Sequence, residues 1–325
     1  MKVSIGIDVG GTNIVGGVVG QSGEILHKIK RPTEANAGSA IVLDRIAGVV
    51  TDLQASIAEG SEVTAVGVGI PGLVDPEEGM SRFAGNLGWR NVPVVQELER
   101  RTGLPVVIDN DVKLYVYGEA VAGAGRDCRH VFGITIGTGI ASALVSDGTI
   151  FHGFKSMAGE IGHVRMDGVE ENCACGLYGC LETVASASGM VRQARKALLE
   201  GRESVLRNWY PGDENFDGLT AADLSKAMDE GDELATGIMT RAGVLNGRAL
   251  AAAVMTISPE IIIVGGGGAL AGDRLMGPLR EQLNELLLPD FREGLKVVVA
   301  DNNDEAGIIG SALYANKRIS ERSGR

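Results

Sequence analysis

No stretch of this 325-residue chain comes near the roughly 20 consecutive apolar residues that a membrane helix needs; apolar runs such as IIIV at 261–264 are far shorter. The N-terminal MKVSIGIDVGGTN meets Asp8 before an apolar stretch long enough for a secretory signal has formed. No membrane partner is expected, and the reading is a soluble, cytoplasmic protein. Nor is there a Lys/Arg block: 42 acidic side chains stand against 30 basic ones, a formal charge of −12, which disfavours a nucleic-acid partner. The P-loop signature GxxxxGK[ST] is missing. The dinucleotide fingerprint GxGxxG is missing from its place after the first strand, and the later VGVGIPG carries Pro71 where a helix would have to begin, so a dehydrogenase is disfavoured. Cysteine is scarce, four in all, and no CxxC pair occurs, which weakens a redox reading. Disulfides are not expected in a reducing compartment.

Three of those four cysteines nevertheless fall within eight residues, CACGLYGC at 173–180, and Glu182 follows closely. Clustered thiols in such a compartment indicate metal or redox chemistry. Cys128 lies apart and reads as a buried free thiol. With 44% hydrophobic residues, the chain can bury a large core and is expected to form two domains.

An internal similarity organises those domains. Residues 4–25, SIGIDVGGTNIVGGVVGQSGEI, and 131–150, VFGITIGTGIASALVSDGTI, share one plan: apolar strand, Gly/Thr turn, second strand, SG or DG, third strand. Each is followed by stretches of helical period, IVLDRIAGVVTDLQASIAEG and ASASGMVRQARKALLEG, and by short strands, VTAVGVGIPG and PEIIIVGGGG. Strands alternating with helices predict an α/β architecture.

Three glycine-rich turns are candidates for holding phosphates and a nucleotide. In DVGGTN, Gly10 and Gly11 leave backbone N–H groups open to an anion, Thr12 adds a hydroxyl, and Asp8 can reach a Mg²⁺ shell. The turn of Gly137, Thr138 and Gly139 offers the same chemistry from the other half. Gly265, Gly266 and Gly267, after a buried-type strand, let a flat ring or ribose lie against the backbone. A polar set accompanies them: Asp109, Asn110 and Asp111 at the end of an apolar strand, Glu160 and His163 in GEIGH, and Glu182. Carboxylates, an amide and an imidazole gathered on one spot suit a polyhydroxylated ligand.

These motifs, together with GNLGW, CACGLYGCLETVASASG and EAGIIGSA, resemble the ROK family (repressors, open reading frames and sugar kinases), and within it the bacterial ATP-dependent glucokinases. The resemblance implies two actin-like α/β domains of the ribonuclease H-like, hexokinase and actin ATPase superfamily, with an active-site cleft between them. The expected division is a small domain over 1–112, completed by a C-terminal helix at about 305–325, and a large domain over 113–304 bearing the metal motif and the oligomer interface. Asp111 matches the catalytic base. Asn110, Asp111, Glu160, His163 and Glu182 match residues that hold sugar hydroxyls, with Asn86 and the backbone at Gly72 as further sugar contacts. The nucleotide segments match Asp8, Gly10, Gly11, Thr12, Asn13, then Gly137, Thr138 and Gly139, then Gly265, Gly266 and Gly267. His163, Cys173, Cys175 and Cys180 match a structural zinc set, and such a set fills a closed tetrahedral shell. If one ring nitrogen of His163 binds the metal, the other is left aimed at a sugar hydroxyl.

The expected activity is therefore phosphorylation of glucose at O6 by ATP with Mg²⁺, in a homodimer or homotetramer. The alternatives are a kinase for mannose, fructose, N-acetylglucosamine or N-acetylmannosamine, a sugar-sensing regulator without catalysis, and a repressor, which would carry a helix-turn-helix ahead of Asp8. Two stretches depart from the family pattern. VKLYVYGE follows the catalytic pair where small residues and an Asn are usual, so Lys113 and Tyr115 are expected to crowd the base, and IASALV follows GTG where a further Gly is usual.

Overall fold

A computed structural model describes residues 1–323. Both predicted hairpin units form. The first comprises β1 (Lys2–Val9), β2 (Asn13–Val19) and β3 (Ile25–Pro32), which continue into a sheet with β4 (Glu62–Ile70) and β8 (Val106–Asn110) in the order β3-β2-β1-β4-β8. Between β4 and β8 lies a small antiparallel sheet of β5 (Leu73–Asp75), β6 (Met80–Ala84) and β7 (Trp89–Val92). The second hairpin unit comprises β9 (His130–Ile136), β10 (Ile140–Ser146) and β11 (Thr149–Ile150). With β12 (Ile261–Gly265) and β13 (Lys296–Val299) it gives the order β11-β10-β9-β12-β13. The two sheets thus repeat one order, and in each the strands beyond the hairpin unit are parallel neighbours. The predicted helices also form, over Ser39–Ala55 and Ala187–Leu199.

The chain divides into two compact units. One takes Met1–Val131, Ala143–Gly159 and the chain from Asp301 on; the other takes Phe132–Ser142 and Glu160–Ala300. The first unit thus runs past 112, where the small domain was expected to end. A break there would cut the helix Asp111–Ala122 one residue after its first turn begins. That helix lies tightly on the C-terminal helix Ala306–Ser323: a Cβ on Gly310 would stand 1.8 Å from the carbonyl O of Leu114, so only glycine admits the approach. Ser311 fastens the C-terminal helix to the sheet by donating to the O of Ile7 at 3.1 Å.

In the first unit, Ile5, Ile7, Ile14, Ile46, Leu53, Val68, Trp89 and Ile108 lie in one buried apolar cluster. Parallel pairing aligns Asp8 with Gly69 and Gly69 with Asp109, so the carboxyl ends of β1, β4 and β8 finish in one row. Ligands of open α/β sheets bind beyond those ends. Among the described residues no helix is long and apolar enough to cross a membrane. Cys128 corrects one expectation: it is half-buried, because it sits in the turn before β9 between exposed Asp127 and Arg129.

Candidate functional site

At the end of β8 the chain turns into the helix Asp111–Ala122 with Asn110 as its N-cap, the Asn110 side chain accepting from the Lys113 N–H at 3.1 Å. A cap of this kind is worth about 1 kcal/mol, and here it fixes the conformation of a candidate ligand contact. Asn110 Nδ2 donates to the O of Gly72 at 3.1 Å and to Oδ1 of Asp111 at 3.0 Å. Oδ1 of Asp111 also accepts from the Val112 N–H at 2.9 Å. The structure therefore brings Gly72, Asn110 and Asp111 together. Asn86 is exposed and stands over the other turn of this unit, its Cβ 3.4 Å from where a side chain on Gly11 would begin. In that turn the Gly10 N–H closes on the O of Asn13 at 2.8 Å, Thr33 donates to the O of Gly10 at 2.6 Å, and Gly11 and Thr12 remain exposed.

Asp8, the last residue but one of β1, is half-buried. Burial, and then the charge of Asp111, push its carboxyl from 3.8 up to about 7. A carboxyl that feels a second carboxylate in this way forms with it a donor set suited to a hard cation such as Mg²⁺. The folded pKa lies above the unfolded one, so from about pH 4 upward the folded chain keeps a proton that the unfolded chain has released. Stability is lost as pH rises to about 7, where the penalty is complete. Asp8→Asn is therefore expected to raise the melting temperature of the ligand-free, Mg²⁺-free protein, by more at pH 8 than at pH 5. Thermal melts at both pH values check this, and an equal shift at both contradicts it.

The second unit assembles the other polar set around the cysteines. The ligating atoms of His163, Cys173, Cys175 and Cys180 all lie within 4.8 Å of one another. Cys175 Sγ is 3.8 Å from Cys180 Sγ, and Cys173 Sγ is 3.7 Å from His163 Nδ1. With Zn–S near 2.3 Å and Zn–N near 2.0 Å, a tetrahedron has S–S edges of about 3.8 Å and S–N edges of about 3.5 Å, so the four residues fit zinc. Nδ1 of His163 faces the thiols, while Nε2 lies 3.7 Å from Oε2 of exposed Glu160. Glu182, half-buried at the start of the short helix Glu182–Ala185, holds Oε1 3.4 Å from Cys173 Sγ and 3.8 Å from His163 Nδ1. Glu160, His163 and Glu182 are thus brought together by the knot.

Glu182 also reaches the Gly137–Gly139 turn: its Oε2 accepts from the Ile140 N–H at 3.4 Å, and a Cβ on Gly139 would stand 2.8 Å from the same oxygen. Thr138 is exposed at the tip, and the space in front of Gly137 is open. The third turn approaches the same strand end. Gly266 has φ +80°, and a Cβ there would meet the O of Ile136 at 2.8 Å, whereas the space in front of Gly267 is open. Gly265 is the buried last residue of β12.

Sequence reasoning missed a cavity of about 910 Å³ beside these turns, lined by Ala187, Val191, Arg192, Arg195, Lys196 and Leu219 among others. The Ala187 N–H donates to the O of Gly137 at 2.9 Å, so the cavity adjoins the GTG turn directly. Its volume suits a nucleoside. The motif ETVASASG marks where its helix begins, but nothing in the pattern shows that one face of that helix is left uncovered.

Two α/β units of repeated strand order, with glycine-rich turns and carboxylates at the strand ends, define the fold class of the actin and hexokinase ATPases. Residues 4–318 match the ROK family, and the chain belongs to it. It is 37% identical to a glucokinase of Thermotoga maritima over 97% of this chain and 98% of that one. The crystal structure of a ROK family glucokinase from Streptomyces griseus in complex with glucose and AMPPNP superposes with a TM-score of 0.83 at 32% identity, covering 97% of this chain and 99% of that one. A ROK family transcriptional regulator, a homologue of the Escherichia coli MLC protein, superposes with a TM-score of 0.84 at 27% identity, covering 96% of this chain and 77% of that one.

Proposed function

We propose that the protein is an ATP-dependent glucokinase, which moves the γ-phosphoryl of ATP to O6 of glucose and yields glucose 6-phosphate and ADP. The observation that carries this reading is the near full-length likeness to the Streptomyces griseus glucokinase solved with glucose and AMPPNP. Fold alone does not separate a kinase from a regulator, since the MLC homologue shares it. Asp111, hydrogen-bonded at the start of its helix, supports the kinase.

In this reading Asp111 accepts the proton of the 6-hydroxyl as its oxygen attacks the γ-phosphorus. Oδ1 of Asn110, the O of Gly72, Glu160, Nε2 of His163 and Glu182 hold the remaining hydroxyls, each supplying a donor or acceptor of fixed direction. Backbone N–H groups of the DVGGTN and GTG turns orient the phosphates, and the cavity beside Ala187 takes the base. Mg²⁺, held by Asp8, would neutralise charge on the β- and γ-phosphoryl oxygens. His163, Cys173, Cys175 and Cys180 would hold a structural zinc that fixes the orientation of His163 and Glu182.

A pocket that spends its polar groups on ring hydroxyls leaves one unpaired when a hydroxyl is missing or inverted, at a cost of about 1–3 kcal/mol. With saturating MgATP, kcat/KM for glucose is expected to exceed that for mannose, fructose, N-acetylglucosamine and N-acetylmannosamine by about tenfold or more in a coupled ADP-release assay. An acetylated sugar turned over faster than glucose refutes the substrate assignment.

A further inference from the structure

The segment 151–159 is fastened at two points to the turn that carries Asn110 and Asp111. His152 sets Nε2 2.6 Å from Oδ2 of Asp109, and Ser156 offers its backbone O to Nζ of Lys113 at 2.6 Å. Both anchoring groups are deeply buried, Asp109 at 0% exposure and Lys113 at 4%. Burying a carboxylate and an ammonium is costly unless each is paired and hydrogen-bonded, and an apolar pair of similar size would serve stability as well. The geometry gives these groups another use.

Each anchor continues to Asn110. Oδ1 of Asp109, the oxygen that His152 does not touch, accepts the backbone N–H of Asn110 at 2.8 Å. The backbone N–H of Lys113 goes to Oδ1 of Asn110 at 3.1 Å. Asn110 is thereby held at its main chain through one anchor and at its side chain through the other, and its Nδ2 is left aimed at Gly72 and Asp111. On the far side of the clamp, Lys155 and Ser156 take positive φ values of 53° and 60°. Consecutive non-glycine residues persist in that region only where their surroundings hold them, and the Lys113 bond is such a hold.

We propose that His152 and Lys113 are positioning residues for the Asn110–Asp111 pair, His152 acting through Asp109 and Lys113 through the Asn110 cap. The inference rests on the reading of Asp111 as the base. A base displaced by about 1 Å from the attacking hydroxyl can lose about a hundredfold in rate, so a loosened clamp acts on kcat more than on nucleotide binding.

The test compares full-length wild type with His152→Phe, His152→Gln and Lys113→Met, in steady-state kinetics with glucose and MgATP, thermal melts and hydrogen exchange of the peptide spanning 108–113. The phenylalanine removes the donor and keeps the bulk, the glutamine restores a side-chain N–H, and the methionine removes the ammonium. His152→Phe and Lys113→Met are expected to lower kcat about 10- to 100-fold, with KM for ATP within about threefold of wild type and faster exchange confined to 108–113. His152→Gln is expected to recover kcat to within about fivefold of wild type. The proposal is overturned if both removing variants keep kcat within about twofold with unchanged exchange, or if His152→Gln loses as much as His152→Phe. It is also overturned if the losses merely track a general fall in melting temperature or if neither removing variant folds. Should wild type phosphorylate no hexose, the kinase reading fails, and exchange at 108–113 alone then decides the clamp: local acceleration supports it and none overturns it.

Discussion

Asp111→Asn is expected to lower kcat for glucose phosphorylation by about 10²- to 10⁴-fold while glucose binding stays within about tenfold of wild type. The amide retains an oxygen for the Asn110 Nδ2–H and the Val112 N–H that Oδ1 of Asp111 now accepts at 3.0 and 2.9 Å, so the turn keeps its shape. It cannot take the hydroxyl proton. A second effect accompanies the first. The charge of Asp111 helps to hold the Asp8 carboxyl up at about 7, and removing it lets Asp8 ionise at lower pH. The ligand-free variant should therefore gain thermal stability at pH 7 to 8, where the penalty of the paired carboxylates is fullest, even as turnover collapses. Near-normal kcat in the variant requires another base. A lost turnover with equally lost glucose binding would make Asp111 a sugar contact and no more.

Cys175→Ser is expected to release the metal and to lower both stability and glucose affinity. Cys175 is the exposed member of the four ligands, whereas Cys173 and Cys180 are buried, so exchanging sulfur for oxygen there costs little packing. What it removes is one corner of the tetrahedron, and metal-binding free energy in such sites is folding free energy. The freed knot would loosen His163 and Glu182 together, because both lie within 3.8 Å of its thiols or of each other. Protein purified without added zinc should carry about one zinc per chain, and the variant markedly less. The melting temperature should fall by several degrees and KM for glucose should rise while KM for ATP changes little. Wild type that holds no metal and is fully active contradicts this account.

The parts legible in the sequence are those whose signal is local. Short apolar runs that end in glycine- or proline-containing turns announced β1, β4, β9 and β12, and the matching SG and DG turns announced the repeated hairpin units. Cysteines at 173, 175 and 180 lie close enough along the chain that their spacing already limits their geometry, and His163 joins them across ten residues. The clamp was not legible, because it depends on pairings that no short motif encodes: Asp109 with His152 and Lys113 with Ser156 are each 43 residues apart. Lys113 and Tyr115 look like intrusions beside the base when read in line. In the fold, Lys113 sends Nζ to Ser156 O and Tyr115 donates to Oδ1 of Asn303 at 2.9 Å. The cavity beside Ala187 escaped notice because it is closed by residues well separated in sequence, the helix from Ala187 on one side and Leu219 and Ala221 on the other. The chain's division between its units was hidden for a similar reason: β9 and β10 each contribute residues to both.

Transfer of a phosphoryl group from ATP to O6 of glucose is read directly by proton-coupled phosphorus NMR of the product formed from glucose and MgATP. One new phosphomonoester, coupled to the two C6 protons, is expected to appear in step with ADP. 6-Deoxyglucose, which offers no acceptor, is expected to yield no phosphosugar. Phosphate on any other hydroxyl, or ADP released without a sugar phosphate, would contradict transfer to O6.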